Sequence, residues 1–488
     1  MILECSAHVI LVGDTSQKSE PMKKTSATKE KPSVKPTAKK DATRLERKAV
    51  GKLARESCPL EAHSKMHIHA STRDVIKTIE DSNEGRIQEL IPLRYSRMLE
   101  SPFTFFRGSA ALMAADLAQE PNSGFIVQAC GDCHIQNFGI FATPERNLVV
   151  DINDFDETLP APWEWDVKRL AASLVLAAQA SNYPIEVGQD AAYRMAEQYR
   201  ERLEEFSRMS ALDVWYSRVD CKRILIEAEE ETIQRHKRNL KEAFEKSSPE
   251  VMRQKLTTVS NGRLRFRDIP PLLCHMEGIT AGETEQEAFE QYRNTLPEDR
   301  RVLLDKFEMV DIARKVVGIG SVGTLCGVIL MASSEDDTLI LQLKEARQSV
   351  LEPYAGKSKY AHHGQRVVNG QKLMQAASDM FLGWVTGLRK PHRHFFIRQL
   401  KDVKIGANTA LWSKNDFKVM AEIVGEILAR AHARSGDSAI LRGYLGKTDA
   451  FENAITTHAT AYAKQTERDH NQFVKACKSG ALKVQDLG

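Results

Sequence analysis

At 488 residues, 42% hydrophobic and 28% charged, the chain has the make-up of a large soluble globular protein, long enough for two lobes or domains. No apolar run approaches the roughly 18 residues of a membrane-spanning helix, and the apolar opening MILECSAHVILVG lacks the basic start and small-residue cleavage site of an export signal. Eight scattered cysteines fit the reduced thiols of a cytoplasmic protein better than a disulfide framework.

The formal charge of +3 is unevenly spread. Residues 15–52 hold twelve Lys/Arg against four acids, which leaves the rest of the chain near −5. This stretch has no aromatics and much Lys, Ser, Thr and Pro, so residues 1–58 are expected to be a disordered basic tail, capable only of weak non-specific contacts with nucleic acid or acidic surfaces. Residues 59–305 read as a helical lobe. In it, patterns broken at Pro92 and Pro102 lead to a short apolar strand, GFIVQACGD, that runs into the loop CGDCHIQN. A second strand, RNLVVDINDFDE, carries Leu148, Val149 and Val150 into a cluster of acids, and the helix WEWDVKRLAASLVLAAQA follows with an apolar face. After residue 306, VDIARKVVGIGSVGTLCGVILMASSEDDTLILQLKEA reads as strand, glycine turn, strand, acidic turn, strand. A helix over GQRVVNGQKLMQAASDMFLGWV and the strand HFFIRQLKDVK complete a β-rich lobe at 306–405. Residues 406–488, opening with the amphipathic KNDFKVMAEIVGEILARAHARSG, are expected to return as helices to the first lobe.

The loop at 130–137 has two incompatible readings. Cys130, Cys133 and His134 have the C-x-x-C-H spacing of haem attachment, but that chemistry belongs to an oxidising compartment the chain has no signal to reach. Zinc needs a second ligand pair, absent here, and the acidic flanks would raise rather than lower thiol pKa values in a redox site. Packing is the better role for both cysteines. In the other reading, Asp132 and Asn137 stand on a loop after a strand, and Asp151, Asp154 and Asp156 lie at the end of the next. A short hairpin would bring Asn137 and Asp154 to one ion, and oxygen donors of this kind suit Mg²⁺ in phosphoryl transfer. His134 is a loop-bracing residue on this reading, since Mg²⁺ prefers oxygen. A solvated or capping carboxylate is the plainer alternative for Asp151, Asp156 and Asp166, and the favoured one for Asp151.

CGDCHIQN and NDFD resemble the catalytic loop H-G-D-x-H-x-x-N and the strand end I-D-[WF]-[ED] of aminoglycoside and choline phosphotransferases, with Cys130 in place of the first His. The resemblance implies a two-lobed, helix-rich α+β fold of protein-kinase-like type, binding ATP and Mg²⁺. It makes Asp132 the catalytic acid/base, Asn137, Asp154 and Asp156 the metal ligands, and Asp166 the carboxylate that braces the loop. The chain order is unlike a kinase's, because about 130 residues without a glycine loop precede Asp132. The missing parts stand downstream. Gly318, Gly320, Ser321 and Gly323 form G-x-G-x-x-G followed by a strand rather than a Rossmann helix, and Lys344 lies on the strand after that. The expectation is therefore a circular permutation, with the catalytic-loop lobe first and the glycine-loop lobe second. A kinase lysine pairs with a helix glutamate, and since the helix at 364–388 has none, the partner of Lys344 is Glu352, Glu345 or absent. Arg94, Arg97 and Arg107 are possible anion-binding residues, for which structural ion pairs are the commoner role.

RYSRML, SPFTFFRG, GDCHIQNFG, NDFDE, WEWDVKRLAAS, QLKEA, GQRVVNGQKLMQ and ARAHARSGD resemble, in order and over residues 60–480, the recurring blocks of the bacterial DUF2252 family. That resemblance supplies no substrate. The expected function is an ATP- and Mg²⁺-dependent phosphotransferase acting on a hydroxyl, with a nucleotide and a small-molecule acceptor as partners and no membrane. The alternatives are a nucleotide-binding pseudokinase acting through protein contacts and a nucleotidyltransferase acting on protein.

Overall fold

The structure, a computed structural model, describes residues 42–68, 73–221, 249–260, 262–270, 272–275, 283–316, 322–334, 336–400 and 405–485, all within one unit, Pro36–Gly488. Residues 1–41 of the expected basic tail lie outside the described residues, and most of the rest of it is helical. Thr43 and Glu46 close a capping box that opens α1 (Arg44–Ala54), so residues 44–54 are helix rather than disordered tail. Four short helices follow: α2 (Val75–Asp81), α3 (Ile91–Leu99), α4 (Pro102–Gly108) and α5 (Ala110–Leu117). Pro92 and Pro102 sit in first turns, where a missing N–H breaks no helical bond.

β1 (Ile126–Ala129) ends at the 130–137 loop, after which β2 (Phe138–Ala142) and β3 (Leu148–Ile152) form an antiparallel hairpin with Phe138 opposite Ile152. β4 (Leu159–Pro162) turns back against β1 and feeds α6 (Trp163–Ala180). Residues Trp163 to Ala178 of α6 are all buried, so this helix is an axle of the helical half rather than a surface helix. α7 (Ile185–Phe206) packs along it, and β5 (Val219–Asp220) adds to the edge of β3.

The second half is built on a six-stranded antiparallel sheet. The hairpin β6 (Thr257–Ser260) and β7 (Arg263–Phe266) precedes β8 (Leu273–Cys274), β9 (Glu308–Lys315), β10 (Cys326–Ala332), β11 (Thr338–Glu345), β12 (Gly383–Thr386) and β13 (His394–Gln399). The sheet order is β12-β13-β11-β10-β9-β8. Side chains alternate along β11: Leu341 and Leu343 join Ile329, Phe395 and Ile397 in an apolar cluster, and Gln342 and Lys344 point to the opposite face. The boundary expected at residue 306 falls inside this half, because β8 pairs with β9 and Tyr292 and Leu304 belong to the same apolar cluster.

Between β11 and β12 in the chain lies α8 (His363–Met374), which packs on β12 and β13. It is shorter than its sequence pattern suggests. Tertiary bonds end it: Asp151 accepts from Ala376 N (2.8 Å), and Asp379 accepts from Phe381 N and Gln399 N (2.7 Å each), which turns the chain into β12. β14 (Ile405–Gly406) then returns to β2, giving the order β14-β2-β3-β5. α9 (Lys414–Ser435), α10 (Ser438–Leu445) and α11 (Ala450–Lys478) close the main core with α6 and α7. α1 lies against α10 so closely that a Cβ on Gly51 or Gly443 would overlap backbone of the other helix. Helices and antiparallel strands are largely segregated, which is the α+β class. Among the described residues no helix is long and apolar enough to cross a membrane.

Candidate active site

The loop after β1 is held from several sides. Gly131 has φ +84°, and a Cβ there would collide with the Glu157 carbonyl, so only glycine fits. Asp166, in the first turn of α6, accepts from Cys130 N (2.6 Å) and Gly131 N (3.0 Å) and lies 3.3 Å from His432 Nε2. Tyr199 Oη in turn stands 2.9 Å from His432 Nδ1. Asp166 is thus buried and bonded to the loop, not a solvated cap.

Asp132 is partly exposed at the loop's tip, and Arg169 donates to its Oδ1 through Nε (2.8 Å) and Nη2 (2.5 Å). His134 is buried 3.8 Å from the other oxygen; burial pulls its pKa down to about 3, so it is a neutral imidazole. Asn137 donates its side-chain amide to the Asp132 carbonyl (2.6 Å), which leaves its side-chain oxygen for a cation. The Asn137 carbonyl accepts from Asn153 N (2.7 Å), and this bond closes the hairpin so that Asp154 follows directly. Cys130, which departs from the motif's first His, donates its thiol to the Asp154 carbonyl (3.3 Å) and so ties loop to hairpin. Burial pushes the Cys133 thiol well up, and neither cysteine is disulfide-bonded.

Lys344 crosses from the sheet half to this hairpin. Its Nζ lies 3.1 Å from Asp154 and 2.6 Å from Asp156. Burial opposes the lysine's charge, but the two carboxylates outweigh it and shift its pKa up. Burial and the neighbouring Asp154 push the Asp156 carboxyl up, against the pull of Lys344. Glu352 and Glu345 are therefore not the ion-pair partners of Lys344. Glu352 is buried with one carboxylate oxygen unpartnered, and Glu345 pairs with Arg393 at 2.6 Å. The inward-facing charge on α8 is Arg366, whose guanidinium donates to the carbonyls of Thr158 (2.6 Å), Asp156 (2.8 Å) and Arg347 (2.8 Å). Asp151 is fully buried against Arg430 of α9 at 2.6 Å, not solvated.

Of the glycine turn, Gly318, Gly320 and Ser321 lie outside the described residues. Gly323 has φ +86°, its carbonyl accepts from Ile87 N (2.7 Å), and Arg86 donates to the Val322 carbonyl (2.6 Å). A cavity of about 350 Å³ opens in front of Asp132 and Asp156. A second, of about 320 Å³, is lined by Asn153, Gln342, Gln371 and Arg398. Among the described residues no three His, Cys, Asp or Glu side chains cluster as a ready metal cage.

Arg169, Arg366 and Arg430 do not stand out in the sequence as site residues. The available signal was a charge on an otherwise apolar helix: Lys168-Arg169 in α6 and Arg430 in α9 fall where only paired charge is tolerated.

The site is an acid, an amide and a lysine brought to one seam of an α+β chain by a loop, a hairpin and a strand. The chain belongs to the DUF2252 family, described as an uncharacterized protein conserved in bacteria, whose match covers residues 86–476. No curated protein and no solved structure matches the chain.

Proposed function

We propose that the chain is an ATP- and Mg²⁺-dependent phosphotransferase of circularly permuted kinase-like fold, acting on a hydroxyl of a small molecule. The observation that carries this reading is the Lys344–Asp154 contact, 3.1 Å across 190 residues of sequence. The permutation is supported by the order of parts: β9, β10 and β11, then α8, then β12 and β13, in one antiparallel sheet, with the catalytic-loop motif ahead of them in the chain.

Phosphoryl transfer asks a protein for positioning and for charge more than for covalent chemistry. Asp132 Oδ1 is committed to Arg169, so Oδ2 is the oxygen that would orient an acceptor hydroxyl. Asn137, with Asp154 and Asp156, would hold Mg²⁺, which takes one or two carboxylates, keeps waters and completes its shell with phosphate; the donor set fits. Bound there, the ion supplies neutralisation of phosphate charge. Lys344, held cationic by its aspartates, would hold phosphate oxygens, and the cavity beside Gln342 would take the base and sugar.

Arg169 also favours a second reading. Its guanidinium occupies Asp132 Oδ1 with two hydrogen bonds, so the carboxylate is already engaged in holding the fold, as suits a nucleotide-binding pseudoenzyme or a nucleotidyltransferase acting on protein. ATP turnover by the purified protein, with and without Mg²⁺ and across a panel of small hydroxyl acceptors, separates the two. A phosphotransferase loses about 10²–10⁴-fold in Asp132→Asn. Clear nucleotide binding with no turnover on any acceptor supports the second reading, and absence of nucleotide binding sinks both.

A further inference from the structure

We infer that the cavity in front of Asp132 is an anion site, and that the acceptor of the transfer bears a phosphate or carboxylate group. The word acceptor rests on the phosphotransferase reading; the anion site rests on geometry alone.

Four arginines line the cavity: Arg86, Arg94 on α3, Arg107 on α4 and Arg347 after β11. Acids line it too, but they are engaged elsewhere. Asp132 is held by Arg169 (2.5 Å), Asp156 by Lys344 (2.6 Å), Glu345 by Arg393 (2.6 Å) and Asp81 by Lys77 (2.9 Å), none of these cations being part of the lining. Glu157 accepts from Val350 N (2.7 Å).

The arginines meet mainly neutral acceptors. Arg86 donates to the carbonyls of Val322 (2.6 Å) and Ser82 (3.1 Å), and Arg347 to those of Ser82 and Glu84. Arg94 is buried, donates to Asn83 Oδ1 (2.5 Å) and the Gly108 carbonyl (2.7 Å), and has an unpartnered Nε. Arg107 has a buried Nε with no hydrogen-bond partner, lies over the Phe103 ring, and feels the charges of Asp132 and Glu100 without a bond to either. Burial pulls the pKa of Arg94 and Arg107 down and that of Arg86 to about 10, the sign of guanidinium charge short of compensation. An oxyanion supplies that compensation, and the guanidinium fork matches phosphate and carboxylate geometry.

The cavity's size, about 350 Å³, suits a small metabolite rather than a protein segment. Its lining includes Asp132, Asp156 and, next to the glycine turn, Thr324, but not Lys344, Asn137 or Asp154, so an anion there meets the catalytic acid without meeting the lysine that would hold nucleotide phosphate.

The test is calorimetric titration of the full chain with inorganic phosphate and with acetate, in the absence and presence of Mg²⁺ and saturating non-hydrolysable ATP analogue. The expected result is binding of at least one anion, weakened about tenfold or more in Arg107→Gln and in Arg347→Gln and unchanged by the analogue. Arg347 is only partly buried, so its variant serves if Arg107→Gln unfolds. Equal affinity in both variants and wild type overturns the site. Displacement of the anion by the analogue assigns the arginines to nucleotide phosphates and overturns the acceptor inference. Arginine-dependent anion binding by a protein that binds no nucleotide keeps the anion site and removes the phosphotransferase reading.

Discussion

Several of the buried groups in this protein are neutral because burial makes them so, and this has a measurable pH signature at the scale of single residues. His63 is fully buried with Nε2 2.6 Å from Tyr444 Oη, and burial, helped by Lys168, pulls its pKa from 6.5 down to about 3. The unfolded chain therefore binds a proton that the folded chain does not between pH 6.5 and 3. The stability contribution is intact above pH 6.5 and is lost as pH falls toward 3. Between pH 7 and 5.5 the loss is about 1 kcal/mol for such a group. Chemical denaturation at the two pH values should show a loss in His63→Gln smaller than the wild-type loss by about that amount; equal losses would mean that His63 titrates normally in the fold. The residues that were legible in the sequence were those whose chemistry is tied to local spacing: Asp132 with Asn137, and Asp154 with Asp156. Arg169 and Arg366 were not, because their meaning lies in partners 37 and about 200 residues away, which no local pattern displays.

At the scale of elements, periodicity and turn chemistry located β1, β3, the three strands around the glycine turn and α9, whose apolar faces are read within the segment itself. Ends set by distant atoms escaped. α8 stops where Asp151 and Asp379 capture its onward backbone, and α1 was hidden by a lysine-rich composition although its capping box is local. The docking of α1 has its own test. Gly443 of α10 lies where a Cβ would overlap the Lys48 backbone, so Gly443→Val should push α1 off its seat at a cost of about 1–3 kcal/mol. Limited proteolysis should then cut within residues 44–58 at protease concentrations that leave the wild-type intact, with a lowered melting temperature. Unchanged resistance would show that α1 is not held by this contact.

At the scale of the whole molecule, the order of motifs along the chain carried the permutation proposal, while the seam itself is invisible in sequence. The loop at 130–137 and the strand bearing Lys344 are joined by residues far apart in sequence: Lys344 and Arg366 reach the hairpin directly, β14 pairs with β2, and α9 packs on α7 and bonds Asp151 through Arg430. Nucleotide bound at this seam, as proposed, would engage both halves. With Mg²⁺ and a non-hydrolysable ATP analogue, amide hydrogen exchange should slow in residues 130–156 and 322–345 alike, by up to about a hundredfold when free ligand exceeds Kd a hundredfold. Lys344→Met removes the cation between Asp154 and Asp156, and it should abolish the protection in both segments rather than in its own strand alone, because the carboxylates left facing each other repel both one another and the incoming phosphates. Protection confined to residues 322–345 in the wild-type protein would mean that nucleotide, if it binds, does so on the sheet half without engaging Asp154, and the two halves would not then share one active site.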